Sequence, residues 1–449
     1  MKSGGSEPVR RLLIANRAEI AVRIIRSCRE MGIETVAVYS TADRDSLHVR
    51  LADYAVCIGP PPSPQSYLNR NNLIMAAAGA GCGAIHPGVG FLSENAAFAK
   101  LVRDRGFAFI GPAPETIELL GDKVAARDTA RRFGLPVTPG SAGAVDSEEA
   151  AAKAARELGF PVIIKAAAGG GGKGMRVVRR AEELAGNFAL ARSEAEANFA
   201  DNTVFIERYL ENPRHVELQI LADKNSVAVL GERDCSVQQN HQKLIEESPS
   251  PGVTETMRSR MAEGAVNLFR ELGYTGAGTI EFLVEGENFY FMEVNARLQV
   301  EHPVSEFVTG TDIVREQILA CTAGRMELEP DKVSLDGWAI ECRINALSPG
   351  KITRLEIPGG PGVRFDSFLY QGCSVPPFYD SMVAKLIVHD STRDRAIAKM
   401  SRALDELVIE GIRTNRERQK LVMRDPKFRS GRFGTHYYEE INGEAENVF

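Results

Sequence analysis

Over the first quarter of the chain, short apolar runs alternate with stretches whose apolar residues recur every three or four positions. Arg10–Asn16 (R-R-L-L-I-A-N) reads as a short buried strand. From Glu19 to Met31, the residues Ile20, Ile24 and Cys28 recur every fourth position, which predicts one buried helical face. Gly32 is placed to close that helix, because glycine accepts the left-handed backbone of a C-terminal cap. Glu34–Ser40 is a second strand, and A-D-Y-A-V-C-I, C-G-A-I-H-P and A-F-I-G-P continue the alternation to about Pro114. Alternating strands and helices predict an open parallel sheet. The proline run from Pro60 to Pro64 predicts a loop.

From Glu115 the texture changes. Helical segments rich in Ala, Glu and Arg flank a strand, Phe160–Ala166, that runs into a glycine tract. T-V-F-I-E-R-Y, H-V-E-L-Q-I-L-A-D and S-V-A-V-L-G-E-R follow as strands, then a helix from about Glu255 to Leu272. G-T-I-E-F-L-V and F-Y-F-M-E-V-N form a closing strand pair. From about Leu335 come further strands and a late helix, Arg393–Glu410. The expectation is a multidomain α/β and α+β protein in three regions, without internal repeats.

Composition narrows the function. A net charge of −6 offers no basic field for a nucleic acid, so any anion site must be local. The seven cysteines, dispersed without a C-x-x-C pair, suit a reducing compartment and neither a disulfide framework nor a zinc site. The polar start MKSGGSEPVRR and the lack of an apolar run of about 18 residues lead us to expect a cytoplasmic chain that neither spans a membrane nor is exported.

Four constellations carry chemistry. Lys165–Met175 (K-A-A-A-G-G-G-G-K-G-M) follows a strand, and its glycines leave backbone N–H groups free to approach phosphate oxygens, with Lys165 and Lys173 adding charge. It lacks the G-K-[ST] ending of a Walker A loop. In the closing strand pair, a three-residue loop of Gly286, Glu287 and Asn288 would set Glu281 opposite Glu293, about 5 Å apart, with Asn295 on the same face. Such oxygen ligands suit Mg²⁺ on nucleotide phosphates. A two-residue turn would instead place the two glutamates on opposite faces, as solvated side chains. Arg297, Gln299, Glu301 and His302 follow at once, pairing a guanidinium fork for a planar oxyanion with a carboxylate able to accept a proton. The fourth stretch, Glu232–Lys243, brings His241 close to Lys243.

In order along nearly the whole chain, these motifs resemble the biotin carboxylases of the ATP-grasp superfamily. The resemblance rests on A-I-H-P-G-V-G-F-L-S-E-N (Ala84–Asn95), F-I-G-P-A-P-E-T-I, G-D-K, the glycine tract and E-R-Y-L-E-N-P-R-H-V-E (Glu207–Glu217). E-V-N-A-R-L-Q-V-E-H-P-V, I-E-C-R-I-N-A and P-P-F-Y-D-S-M-V-A-K-L complete it. It implies an N-terminal open parallel α/β domain (residues 1–121), an ATP-grasp domain (122–330, lid about 138–208) and a C-terminal α+β domain (331–449). It implies ATP binding by Lys123, Lys165, Gly171, Gly172, Glu207, Leu210, His215, His241, Glu281 and Glu293. Glu281, Glu293 and Asn295 would hold Mg²⁺ or Mn²⁺. Lys243, Arg297, Gln299 and Val300 would position bicarbonate, Glu301 would deprotonate it, and Arg343 would stabilise the enolate-like oxygen of biotin. The implied reaction is an ATP-dependent ligation that carboxylates biotin through carboxyphosphate. No A-M-K-M run is present, so biotin is expected on a separate biotin carboxyl carrier protein. The implied setting is bacterial acetyl-CoA carboxylase, feeding malonyl-CoA to fatty acid synthesis, with carboxyltransferase subunits as partners. A homodimer is implied too, with Arg23, Arg26 and Glu30 in its interface.

The sequence departs from the family pattern at Ala18 and Val89, where glycine and tyrosine are usual, and at Gln239 and Asn240, where arginines are usual. Ala168 begins the glycine tract, and the stretch from Ala346 to Pro349 is short, lacking the E-D-P segment. These changes gather toward biotin. Alternatives are therefore a subunit of another acyl-CoA or pyruvate carboxylase, an ATP-grasp ligase with a different acceptor, or a non-enzymatic paralogue.

Overall fold

The computed structural model describes residues 9–141, 143–166, 175–199 and 201–446. Five strands open the chain: β1 (Arg11–Ile14), β2 (Glu34–Ser40), β3 (Tyr54–Gly59), β4 (Ala84–His86) and β5 (Ala108–Phe109). They form one all-parallel sheet in the order β3-β2-β1-β4-β5, as the alternation predicts. The first helix spans Ala18–Glu30 and buries Ile20, Ile24 and Cys28. Gly32 follows in the left-handed region (φ +71°), while Ile33 N–H caps the Cys28 carbonyl at 2.8 Å. In an open parallel sheet the ligand crevice lies beyond the strand C-termini where strand order reverses. Here that point lies between β1 and β4. Asn16, just after β1, donates to the carbonyls of Pro87 (2.8 Å) and Val89 (2.7 Å) after β4, joining the two loops.

Strands β6 (Val162–Ala166), β7 (Met175–Val178) and β8 (Val204–Arg208) form a small antiparallel sheet in the order β7-β6-β8. With the helices Glu148–Leu158 and Leu184–Phe199 it encloses its own core of Ala151, Ala155, Val162, Ile164, Leu184, Phe188 and Ile206. Residues 167–174, which include most of the glycine tract with Ala168, Gly171, Gly172 and Lys173, lie outside the described residues.

The remaining strands form a sheet that continues across residue 330. Strands β9 (Arg214–Ala222), β10 (Val227–Gln239), β11 (Gln242–Ser248), β12 (Gly276–Glu285) and β13 (Asn288–Asn295) join β14 (Trp338–Asn345). Of the strands that follow, β15 (Gly350–Lys351), β16 (Arg354–Glu356) and β18 (Ser374–Val375) are short pieces outside this sheet, whereas β17 (Val363–Ser367) and β19 (Met382–Asp390) belong to it. The order is β13-β12-β9-β10-β11-β14-β19-β17, one eight-stranded antiparallel sheet. Its central and C-terminal halves are sewn together by β11 and β14, where Ile245 faces Cys342 and Glu246 faces Glu341.

The late helix is shorter than its periodicity suggests. It spans Arg393–Glu406, and Val408–Glu410 form a strand, β20, paired with β16. The β-branched pair Val408 and Ile409 finds a ladder partner there. All seven cysteines are unpaired. No helix among the described residues is long and apolar enough to cross a membrane.

Candidate active site

A cavity of about 930 Å³ opens where the N-terminal unit meets the large sheet. Its walls come from the loops after β1 and β4 (Asn16–Ala18, Val89–Phe91), from β9 to β14, and from the loop Phe378–Met382. Of the residues singled out in the sequence, it gathers Lys123, His215, His241, Lys243, Glu281, Glu293, Asn295, Arg297, Gln299, Val300, Glu301 and Arg343. These span more than two hundred positions of sequence, but six of them sit on strands of one sheet and four more on the segment that leaves β13.

The strand register makes a row of charge across that sheet. Glu293 on β13 faces Glu281 on β12, Glu281 faces Glu217 on β9, and Glu217 faces Arg233 on β10. The turn between β12 and β13 has two residues, Gly286 and Glu287, not three, since Glu285 pairs with Asn288. A uniform ladder from that turn would have set Glu281 against Met292. A bulge between the pairs Phe282–Phe291 and Glu281–Glu293 absorbs Met292 and restores the facing carboxylates.

Lys243 lies over this row. Its Nζ donates to Glu217 Oε2 (2.6 Å), Glu281 Oε1 (3.0 Å) and Glu301 Oε1 (2.5 Å). Burial disfavours the Lys243 charge, yet these carboxylates outweigh it and raise the ammonium well above its usual range. Burial likewise pushes the Glu301 carboxyl up, but Lys243, Arg343 and Arg233 more than reverse this and hold it ionised, well below the ordinary value. Glu281 is also held down, by Lys243 and by His215, against its burial. Glu293 moves the other way: burial and the Glu281 charge both raise it. The His215 ring nitrogen Nε2 stands 2.9 Å from Glu281 Oε2, while Nδ1 meets the Gln238 amide at 2.7 Å.

Arg343 joins Glu301 to a second buried carboxylate. It donates to Glu246 Oε1 (Nε, 2.6 Å) and to Glu301 Oε2 (3.0 Å). Burial, eased only in part by Arg343, lifts Glu246 to about 7. The Arg297 fork is held by Glu94, Gln299 and Asn295. Asn295 and Gln299 in turn donate to Glu281 Oε1, at 2.9 and 3.3 Å. The Val300 carbonyl accepts from the buried Lys385 at 2.8 Å.

Among the described residues, three expected at the nucleotide do not line this cavity. Lys165 pairs with Glu207 at 2.6 Å on the small sheet, Glu207 also takes Arg127, and Leu210 is buried beyond it. Conversely, Glu217, Arg233, Gln238, Glu246 and Glu94 belong to the network but went unrecognised in the sequence. Glu217 and Glu246 sit inside strand patterns, where charged residues at apolar positions were the available signal. Arg23 lies buried against Glu306 (2.7 Å) and Asp312 (2.8 Å), whereas Arg26 and Glu30 are exposed on the rim of the same depression.

The departures differ in what they touch. Val89 and Ala18 line the cavity, and Ala18 holds a left-handed backbone (φ +58°) that glycine would adopt without strain. Gln239 and Asn240 do not line it. Asn240 (φ +51°) and His241 (φ +62°) are the two central residues of a hairpin turn between β10 and β11, a position asparagine favours. The Ala346 N–H bonds the Ser381 carbonyl (2.7 Å), tying the short stretch to the cavity-lining loop.

Glu281 and Asn295 are buried and Glu293 half-buried hard-oxygen donors, two of them facing carboxylates that repel each other, and this donor set fits a divalent cation such as Mg²⁺.

Comparison with known proteins agrees with this architecture. Residues 8–117 match the biotin carboxylase N-terminal domain, 122–327 the carbamoyl-phosphate synthase L chain ATP-binding domain, and 341–440 the biotin carboxylase C-terminal domain. The chain is 52% identical over 447 residues to a biotin carboxylase of Allochromatium vinosum, covering 98% of this chain and 100% of that one. It is 52% identical over 442 residues to that of Pseudomonas aeruginosa, covering 96% and 98%. Among solved structures, the biotin carboxylase–βγ-ATP complex of Campylobacter jejuni superposes with a TM-score of 0.91 at 46% identity, covering 96% of this chain and 99% of that one. The biotin carboxylase domain dimer of Hydrogenobacter thermophilus 2-oxoglutarate carboxylase, bound to MgADP and bicarbonate, gives 0.89 at 43% identity, covering 96% and 97%.

Proposed function

The chain belongs to the biotin carboxylase family, and on that premise we propose that it uses ATP and bicarbonate to carboxylate biotin borne on a carrier protein. The observation that carries this reading is the continuous link Lys243–Glu301–Arg343, set beside Glu281 and Glu293 in one cavity. Lys243, Arg297 and Gln299 offer N–H donors for a bicarbonate anion. Glu301 stays ionised and so can take its proton. Its basicity is low while Lys243 and Arg343 bond only the protein's own carboxylates, and rises when an incoming anion shares those cations. The resulting carbonate oxygen attacks the γ-phosphorus, the bond to ADP breaks, and carboxyphosphate forms. In this site it yields CO₂ and phosphate, the phosphate takes the biotin N1′ proton, Arg343 steadies the oxygen that becomes negative, and N1′ then attacks CO₂ to form the N–carboxyl bond. Glu281, Glu293 and Asn295 would hold Mg²⁺ or Mn²⁺, which neutralises phosphate charge when bound. Lys123, His215 and His241 would meet the nucleotide from the cavity wall, and Lys165, Glu207, Leu210 and the glycine tract from the small sheet's side.

The ~50% identity to bacterial relatives supports acetyl-CoA carboxylase as the setting, with a biotin carboxyl carrier protein as substrate and carboxyltransferase subunits as partners in the cytoplasm. The dimer of the Hydrogenobacter thermophilus relative supports a homodimer.

The test is steady-state ATP cleavage with Mg²⁺, with and without bicarbonate, then with free biotin, using Glu301→Gln as control. ADP release should require bicarbonate, rise with biotin and collapse in the variant. Turnover indifferent to both bicarbonate and biotin would point to another acceptor.

A further inference from the structure

Arg297 is held by more than its own segment. A guanidinium has five N–H donors. In Arg297, NH1 reaches Gln299 Oε1 (2.9 Å) and the Leu298 carbonyl (3.3 Å), and NH2 reaches Asn295 Oδ1 (3.0 Å). Those partners are all near neighbours in sequence. The fourth contact is not: Nε donates to Glu94 Oε2 at 2.6 Å, across 203 positions. The other oxygen, Glu94 Oε1, accepts the Ala296 backbone N–H at 3.0 Å. One carboxylate of the N-terminal unit thus grips both the main chain and the side chain of the segment that leaves β13.

Glu94 stands just before Asn95, whose side chain caps the helix Ala96–Asp104, so its own backbone is fixed. Both partners of the ion pair are partly exposed, at 19% for Arg297 and 39% for Glu94, and an ion pair of that kind adds little to stability. Its consequence falls instead on geometry. With Nε and both N–H groups of NH1 engaged, the plane of the fork is set and one N–H of NH2 is left for a ligand in the cavity that Arg297 lines.

We propose that Glu94 is a positioning residue for the oxyanion site: through Arg297 and the Ala296 amide, the N-terminal unit sets the orientation in which bicarbonate is bound. The inference rests on the bicarbonate reading above. Glu94 touches no reacting atom. Without it Arg297 keeps its charge but loses the contact that fixes its plane, so anion affinity falls while nucleotide binding, made by other residues, is spared.

The experiment measures bicarbonate-dependent ATP cleavage in wild type, Glu94→Ala and Glu94→Gln, with KM for bicarbonate and for ATP determined separately and folding followed by thermal melting. In Glu94→Ala the bicarbonate KM should rise about tenfold, as expected for losing one charge-assisted hydrogen bond that acts in binding, with the ATP KM within about twofold. Glu94→Gln keeps one acceptor and should fall between. An unchanged bicarbonate KM in a folded Glu94→Ala overturns the proposal, as does a parallel rise in both KM values, which marks a general structural defect. If wild type itself cleaves ATP without needing bicarbonate, the functional reading fails first and the inference falls with it.

Discussion

Glu281 faces Glu293 across β12 and β13, although the turn joining those strands has the wrong length to put them there. Gly286 and Glu287 make a two-residue turn, and only the bulge at Met292 brings the carboxylates into register. Bulges recur beside active sites because they re-aim a side chain without changing the turn.

That pair is a liability without a counter-ion. Burial and the Glu281 charge raise the Glu293 carboxyl, so Glu293→Gln should stabilise the ligand-free protein by about 1 kcal/mol. The same change should cost ATP cleavage about a hundredfold, since the several kcal/mol a bridging cation supplies would be weakened. Melting with and without Mg-ATP checks this: the wild type should gain stability on addition and the variant should not.

Lys243 holds three buried carboxylates, and Lys243→Met leaves Glu217, Glu281 and Glu301 without it. Breaking such a cluster should destabilise by about 3–5 kcal/mol and abolish turnover. The freed carboxyls would have folded-state pKa values above their unfolded ones. The folded variant would then bind more protons, so its stability should fall as pH rises from about 5 to 8. Urea unfolding relative to wild type at both pH values reads the sign directly.

Arg343 spans Glu246 and Glu301 with a planar fork that an ammonium cannot reproduce. Arg343→Lys should lower the biotin-dependent rate about a hundredfold, the loss expected for one preorganised donor at a developing oxyanion. Bicarbonate-dependent ATP cleavage without biotin should remain within about fivefold. Equal losses in both assays would move Arg343 from the acceptor step to the earlier one.

His48 is fully buried in the N-terminal unit, with Nε2 donating to the Val38 carbonyl (3.2 Å) and Nδ1 beside Ser46 Oγ (2.9 Å). Burial lowers it to about 4, despite the nearby Asp43 charge. The unfolded chain therefore binds the extra proton first, and this histidine's share of stability is lost as pH falls from about 6.5 toward 4. Measured against wild type, His48→Gln should become relatively more stable by about 2 kcal/mol between pH 7 and 5. The comparison cancels Glu246, whose raised pKa of about 7 acts in the opposite direction.

Much was legible in the chain by itself. Short apolar runs placed β1 to β5, and period-four spacing placed the helix Ala18–Glu30 with its Gly32 cap, because each depends on local sterics and on burial of the element itself. The motifs taken together, in order along the chain, identified the family, and those from Ala84 to Asn95 and from Glu293 to Val304 hold part of the cavity lining.

What the chain could not state was pairing. No local signal specifies that β11 lies beside β14, so the continuous sheet, and with it the contact of Arg343 with Glu246 and Glu301, had to come from tertiary structure. Nor does a turn's sequence reveal a bulge five residues beyond it. The grip of Glu94 on Arg297 joins residues 203 apart, and spacing along a chain carries no information about such a contact. Residue types and local periods are properties of the sequence, whereas register and burial arise only when strands distant in sequence compete for the same partners.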